Sequence, residues 1–424
     1  MQLLFKNAYV VDFQSPYHLQ TVDILVEGFQ ITAIGDLSSV TCPTIDLAGA
    51  TLTTGFAELH SDLGEPGNEE CETLDTGAAA AASGGYTAVG VVSNGAPGIE
   101  NKTGVEFVLS KGESTSVNLV PVGSASRNSS GQEMSDMFDM FQHGTVLFGD
   151  YKRGIQNANL LKLALLYTKP FGRIMVHPED SNLAVNGQVS EGVTSTYVGL
   201  KGIPELAESV QIDRDLKLLE YTQGSMHIAS VSTAEGIDAI RQAKSKGLNL
   251  TCSVNIHHLL FDETAVSTYD TNFKVAPPLR TKKDQQVLWS AIEDGTVDCL
   301  AVDHLPKDIE QKACEFDNAS FGMAGFEGSL VHLLDMQKLD WPILQQVCSS
   351  NPRALLGLPE LKIVEGGIAE FTILDKNESD LTGFASKAYN NPFKGTTTTH
   401  RVVGVYVNGK YRGNQISRGI LRPS

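Results

Sequence analysis

His60 and Asp62 stand two residues apart in the stretch Thr54-Gly55-Phe56-Ala57-Glu58-Leu59-His60-Ser61-Asp62-Leu63-Gly64-Glu65-Pro66-Gly67. On a β-strand, residues i and i+2 point to the same face. A His-x-His pair at a strand end could hold one divalent metal in a barrel mouth. In this chain the second member is Asp62, a carboxylate, which also binds metal. Asn94, Asp150, His177, Ser230 and Asp303 also fall at or just beyond the ends of β-rich runs. Together with His60 and Asp62 they are the candidate site residues by position.

The elements that must carry them follow from the pattern. The middle of the chain, about 55–355, alternates β-rich runs (YTAVGVVSN, NLVPVGSA, GTVLFGD, RIMVHPED, SMHIASVS, LNLTCSV, DCLAVDH) with helical stretches such as NANLLKLALLYTK and KKDQQVLWSAIEDG. Repeated strand–helix units of this number predict an α/β fold, a parallel (β/α)8 TIM barrel, whose chemistry sits at the C-terminal ends of its strands. Residues 2–53 and 360–424 are β-rich without a helical period. They predict one small β-sandwich domain built from both chain ends, with boundaries at 1–53 plus 356–424 and the barrel at 54–355.

The bulk properties narrow the partners. The chain has 424 residues, with 41% hydrophobic and 19% charged, and a formal net charge of -18. That balance argues against nucleic acid or an anionic membrane as partner. No apolar run of transmembrane length and no signal-peptide pattern is present, so a cytoplasmic location is expected. The six cysteines are scattered without a CxxC and read as reduced, buried thiols.

Six segments in order, GFAELHSDLGEPG, ETLDTGAAAAASGGYTAVGVVSN, VHPEDSNLA, HIASVSTAEGIDAIRQAKSKGLNLTCSVNIHHLL, YDTNFKVAPPLRTKKDQQVLWSAIEDGTVDCLAVDHLP and NPRALLGLPELKIVEGGIAEFTILD, resemble the type I dihydroorotases of the amidohydrolase superfamily. The resemblance implies a barrel mouth with one or two zinc ions. It implies a metal-activated water that attacks a ring amide, and an aspartate on the last strand that shuttles the proton. The reaction implied is the interconversion of dihydroorotate and N-carbamoyl-aspartate in pyrimidine biosynthesis.

Carried over residue by residue, His60 and Asp62 take the first-strand ligand positions. Asp150 takes the bridging position, which in the family is a carboxylated Lys or an Asp, and His177 takes the fifth-strand ligand. Asp303 takes the catalytic aspartate. The family's sixth-strand His is Ser230, a poor zinc ligand. His227 lies three residues earlier, on the opposite face by strand parity. Among substrate-holding positions Asn94 is kept, the Arg becomes Gly64, an Asn becomes Ala276 and a His becomes Lys307.

These changes predict at most one weak metal, with an oxygen-rich set that favours hard ions. The expectation is a dihydroorotase-like protein with a degenerate metal site and weak or no activity, acting as a structural partner of aspartate transcarbamoylase. The family also implies a homodimer. The alternative is an active single-metal cyclic amidohydrolase of dihydroorotase, hydantoinase or allantoinase type. The pair His257-His258 reads as structural.

Overall fold

The computed structural model describes residues 2–92, 95 and 98–413. Asn94 therefore lies outside the described residues. Both chain ends contribute to one eight-stranded sheet. Gln2–Val11, Thr21–Glu27, Gln30–Gly35, Thr44–Asp46 and Thr51–Thr54 come from the start of the chain, and Phe371–Asp375, Arg401–Val407 and Lys410–Gly413 from its end. The seam is the antiparallel pairing of Thr51–Thr54 with Phe371–Asp375, in register Leu52 to Ile373. β-branched and aromatic residues drive it, and Phe5 packs edge-on against both Phe371 and Tyr406. The last hairpin turns on Asn408-Gly409, both with positive φ. That is the two-residue turn whose twist matches paired strands.

The middle of the chain forms the parallel barrel. Its strands, in order, are β1 (Phe56–Asp62), β2 (Tyr86–Val92), β3 (Asn118–Pro121), β4 (Leu147–Phe148), β5 (Arg173–Val176), β6 (Met226–Ile228), β7 (Leu250–Asn255) and β8 (Cys299–Ala301). All seven residues of β1 and of β2 are buried, as expected where helices cover a sheet whose other face is the barrel interior. Gly90 is needed because a Cβ there would lie 2.0 Å from Leu59 O of the neighbouring strand. Backbone bonds from Gly123 to Leu147 and from Gly149 to Gly123 join β3 to β4. The ring closes between β8 and β1, where Asp62 N donates to His304 O at 3.0 Å.

Glu58 secures that closure. Its buried carboxylate accepts from Val302 N (2.6 Å), Asp303 N (3.2 Å), His60 N (3.2 Å) and Ser61 Oγ (3.1 Å). One side chain on the first strand therefore fixes the backbone after the last strand. Helices between strands carry capping signals: Thr281 caps Lys282–Glu293 in a reciprocal box with Asp284. Among the described residues no helix is long and apolar enough to cross a membrane.

The segment 384–388 is clamped onto the barrel by two buried acids. Glu327 accepts from Ala385 N (2.8 Å) and Ser386 N (3.0 Å), and Glu72 accepts from Ser386 Oγ. Burial pushes the Glu327 carboxyl up to about 7 against the two backbone donors. Its folded pKa thus lies above the unfolded value of 4.5. The stabilisation is full below the unfolded pKa and is lost as pH rises through about 7, by at most about 3 kcal/mol. Urea unfolding of the wild type should show a midpoint that falls between about pH 5 and pH 8. Glu327→Gln should flatten that fall, and an unchanged slope in the variant would remove Glu327 as its source.

Candidate active site

Asp303 follows β8 in the left-handed region, φ 54°, and turns into the mouth. It is 3% exposed. Its Oδ1 accepts from Tyr151 OH at 2.8 Å and lies 3.6 Å from His60 Nδ1. Its Oδ2 accepts from Asn255 Nδ2 at 2.9 Å and forms an ion pair with Lys152 Nζ. Burial by itself pushes this carboxyl up, but the Lys152 ammonium and His60 bring it well below the usual carboxylate range. Asp303 is therefore an anion in the folded protein. Tyr151 and Ser230 also have positive φ, 37° and 58°. Three strand ends around one mouth hold non-glycine residues in a sparsely populated conformation, a form of strain that gathers at functional sites.

His60 and His177 stand with Asp303. His60 Nε2 is 3.5 Å from Ser253 Oγ. His177 is buried and its Nε2 has no hydrogen-bond partner. Burial, and next the Lys152 charge, lower its pKa to about 3, so the ring is neutral at physiological pH. Burial likewise brings His257 to about 4, opposed by the Asp303 charge, and neither of its ring nitrogens has a partner. His258 instead lies with Nε2 3.2 Å from Pro277 O and 3.3 Å from Pro278 O. The two histidines thus divide: His258 supports the backbone, and His257 has both ring nitrogens without a partner.

Several expected residues stand elsewhere. Asp150 does not enter the mouth; it accepts from Ser126 N at 2.8 Å and from Ser126 Oγ. The residue that enters is Lys152, which also donates to Ala276 O at 2.6 Å. The reason is local. β4 ends at Phe148, and the left-handed turn at Tyr151 breaks the alternation that would have put Asp150 and Lys152 on one face. At this strand end the side chain that meets Asp303 is that of Lys152, while Asp150 meets Ser126.

Asp62 Oδ1 accepts from Gly64 N at 2.8 Å, so this carboxylate shapes its own loop. Its charge, with that of Asp303, raises the Tyr151 hydroxyl, whose largest cause is burial, and keeps it a donor. Gly64 is more than a missing guanidinium. With φ 75°, a Cβ there would lie 2.4 Å from Glu72 O and 2.8 Å from Asn68 O, so the loop excludes any side chain. Ala276 reaches the site through its carbonyl alone. Lys307 is tied by its backbone to Asn390 and Tyr389, and its charge acts on Cys71 and Lys312.

His227 differs from the parity expectation. Its Nε2 lies 3.1 Å from Ser253 Oγ, the same hydroxyl that accepts from Ser230 N at 3.2 Å. β6 ends at Ile228, so strand alternation no longer relates 227 to 230. Sequence reasoning also missed Tyr151, Lys152, Asn255 and Ser253. The only signals for them were their places at the ends of GTVLFGD and LNLTCSV.

The donor set can be tested for metal. Among the described residues no group of three or more His, Cys, Asp or Glu side chains gathers at metal-binding spacing. With Lys152 as a free amine, a cation already sits on Asp303 and opposes a second one. If the amine carried CO2 as a carbamate, an anionic oxygen donor would replace the cation beside His60, Asp303 and the unpartnered His177 nitrogen. The residues fit one ion on that condition. The remaining position, with His177 and Ser230, falls short of the three protein ligands a zinc site needs.

A barrel of this closure, with its polar residues at the strand ends and a sheet from both termini, has the amidohydrolase architecture. L-hydantoinase (dihydropyrimidinase) from Arthrobacter aurescens superposes with a TM-score of 0.83 at 22% identity, covering 99% of this chain and 97% of that one. D-hydantoinase from a Thermus species gives 0.80 at 23% identity, covering 97% and 96%. Residues 49–236 match the family described as dihydro-orotase-like. The dihydroorotase of Desulforapulum autotrophicum is 36% identical over 423 residues, covering 97% of this chain and 98% of the relative. That of Pelotomaculum thermopropionicum is 37% identical over 404 residues, covering 93% and 94%. The chain belongs to the dihydroorotase family of cyclic amidohydrolases.

Restoring the family's Arg at position 64 should not restore a carboxylate grip. Gly64→Arg should cost about 2–4 kcal/mol of stability, from the forbidden backbone and the carbonyl contacts. A thermal melt equal to wild type would show that the loop rebuilds around the new side chain.

Proposed function

We propose that this chain is a dihydroorotase-class cyclic amidohydrolase with a weakened centre, opening or closing a ring amide in the barrel mouth. The observation that supports it most is Asp303, a buried carboxylate at the end of the last barrel strand, facing Lys152, His60 and the neutral His177. The near full-length similarity to proteins named dihydroorotase supports the same reading.

In this reading Asp303 accepts the proton of the attacking water and returns it to the ring nitrogen, as a positioned carboxylate does. Tyr151 OH and Asn255 hold it in place. Lys152 as carbamate, His60 and Asp303, with Asp62 beside them, would hold a single divalent ion. Such an ion polarises the amide carbonyl and acidifies water when bound. With no side chain possible at Gly64, a ring without a carboxylate, such as a hydantoin, suits the mouth at least as well as dihydroorotate.

A second reading, in which the protein has given up hydrolysis and serves as a structural partner of aspartate transcarbamoylase, is favoured by Ser230 and by the closed loop at Gly64. Metal analysis and ring-opening assays decide between them. After incubation with bicarbonate and Zn²⁺ or Mn²⁺, the wild type should hold about one ion per chain and open dihydroorotate or hydantoin at a measurable rate. Lys152→Met should lose both. Turnover of neither ring, with metal content no higher than in Lys152→Met, would sink the hydrolase reading. Co-elution with aspartate transcarbamoylase in that case would favour the second.

A further inference from the structure

The residue that stands where the family has a sixth-strand ligand has a partner of its own. Ser230 Oγ donates to Asn255 Oδ1 at 3.0 Å, and Asn255 Nδ2 donates to Asp303 Oδ2 at 2.9 Å. The three residues are almost fully buried and stand at or two residues beyond the ends of three consecutive strands, β6, β7 and β8. A carboxamide can present either its oxygen or its NH2 to a neighbour. Facing Asp303, the oxygen would repel and the NH2 attracts. The carboxylate, an acceptor only, sets which end of the amide meets it, and the Ser230 hydroxyl donates to the amide oxygen left over and holds the side chain there.

The backbone makes the hydroxyl available. The left-handed conformation of Ser230 turns the side chain inward after β6 has ended. Ser230 N is held by Ser253 Oγ (3.2 Å) and Val231 N by Ser253 O (2.9 Å). Ser253 Oγ also lies 3.1 Å from His227 Nε2 and 3.5 Å from His60 Nε2. One hydroxyl on β7 thus ties the Ser230 turn to the ring of His60.

We propose that Ser230 and Asn255 form a neutral clamp that fixes Asp303 in the mouth, with Ser230 acting as a positioning residue through the Asn255 amide. Ser230 is then a working part of this site, where sequence comparison reads only a lost ligand. The clamp rests on the reading that Asp303 is the proton carrier, and its test has an arm that does not.

In the bicarbonate- and metal-treated protein, Ser230→Ala should lower kcat for ring opening about tenfold, the worth of one oriented hydrogen bond, with KM within about twofold. Ser230→Thr, which keeps the hydroxyl, should recover most of that loss. In an Asn255→Ala background, Ser230→Ala should have no further effect on kcat, because the clamp acts as a unit. The independent arm is NMR of protein with ¹⁵N-labelled asparagine. The Asn255 side-chain amide signal should move in Ser230→Ala and stay in Ser230→Thr. Additive losses in the double variant, equal losses for Ala and Thr, or an unmoved amide signal in Ser230→Ala would each overturn the clamp. If the wild type turned over neither ring, the functional reading would fall while the amide signal alone decided the clamp.

Discussion

Burying a carboxylate costs several kcal/mol unless a cation and hydrogen-bond donors surround it, and the mouth of this barrel is organised by that demand at Asp303. Lys152 supplies the charge, Tyr151 and Asn255 the donors. Tyr151 and Lys152 follow β4 and Asn255 ends β7, so the carboxylate after β8 also ties these three strands together. Glu58 holds the backbone of the same residue from the opposite side of the closure. The ring of strands and the polar mouth are therefore one construction: the barrel brings the groups together, and the groups lock its last strand to its first.

The same demand explains how a family site can change several members without losing the fold. Asp62 bonds the backbone of its own loop, and Gly64 lets that loop pass close to the carbonyls of Asn68 and Glu72. Ser230 bonds Asn255. Asp62, Gly64 and Ser230 each have a local partner or a steric reason. In the described structure the polar side chains of the mouth gather on Asp303 and Lys152. Fold and family are carried by the apolar strands and the closure, which these changes do not touch.

Much of this was legible in the residues. The alternation of β-rich and helical runs predicts the barrel, because burial on both faces of parallel strands leaves continuous apolar stretches. The two β-rich ends predict a shared sheet. His60, His177 and Asp303 are legible as mouth residues because each lies in the last residues of a clear strand or just beyond it. His227 was placed by strand parity, Asp150 by resemblance, and Lys152 was not read at all. For His227, period-two alternation was extended past the strand end, where the left-handed Ser230 resets the direction of the chain, as Tyr151 does after β4.

By itself the sequence determined the family, the barrel and the sheet from both termini, since all of these are properties of pattern and order. Only the tertiary structure decided which polar side chains meet. Lys152 faces Asp303, Asp150 faces Ser126 and Ser230 faces Asn255 because of turns a few residues long and contacts between strands far apart in the chain. Such contacts depend on φ angles and on neighbours up to about 150 residues away (Tyr151 to Asp303), and neither leaves a periodic trace that a strand-by-strand reading can follow.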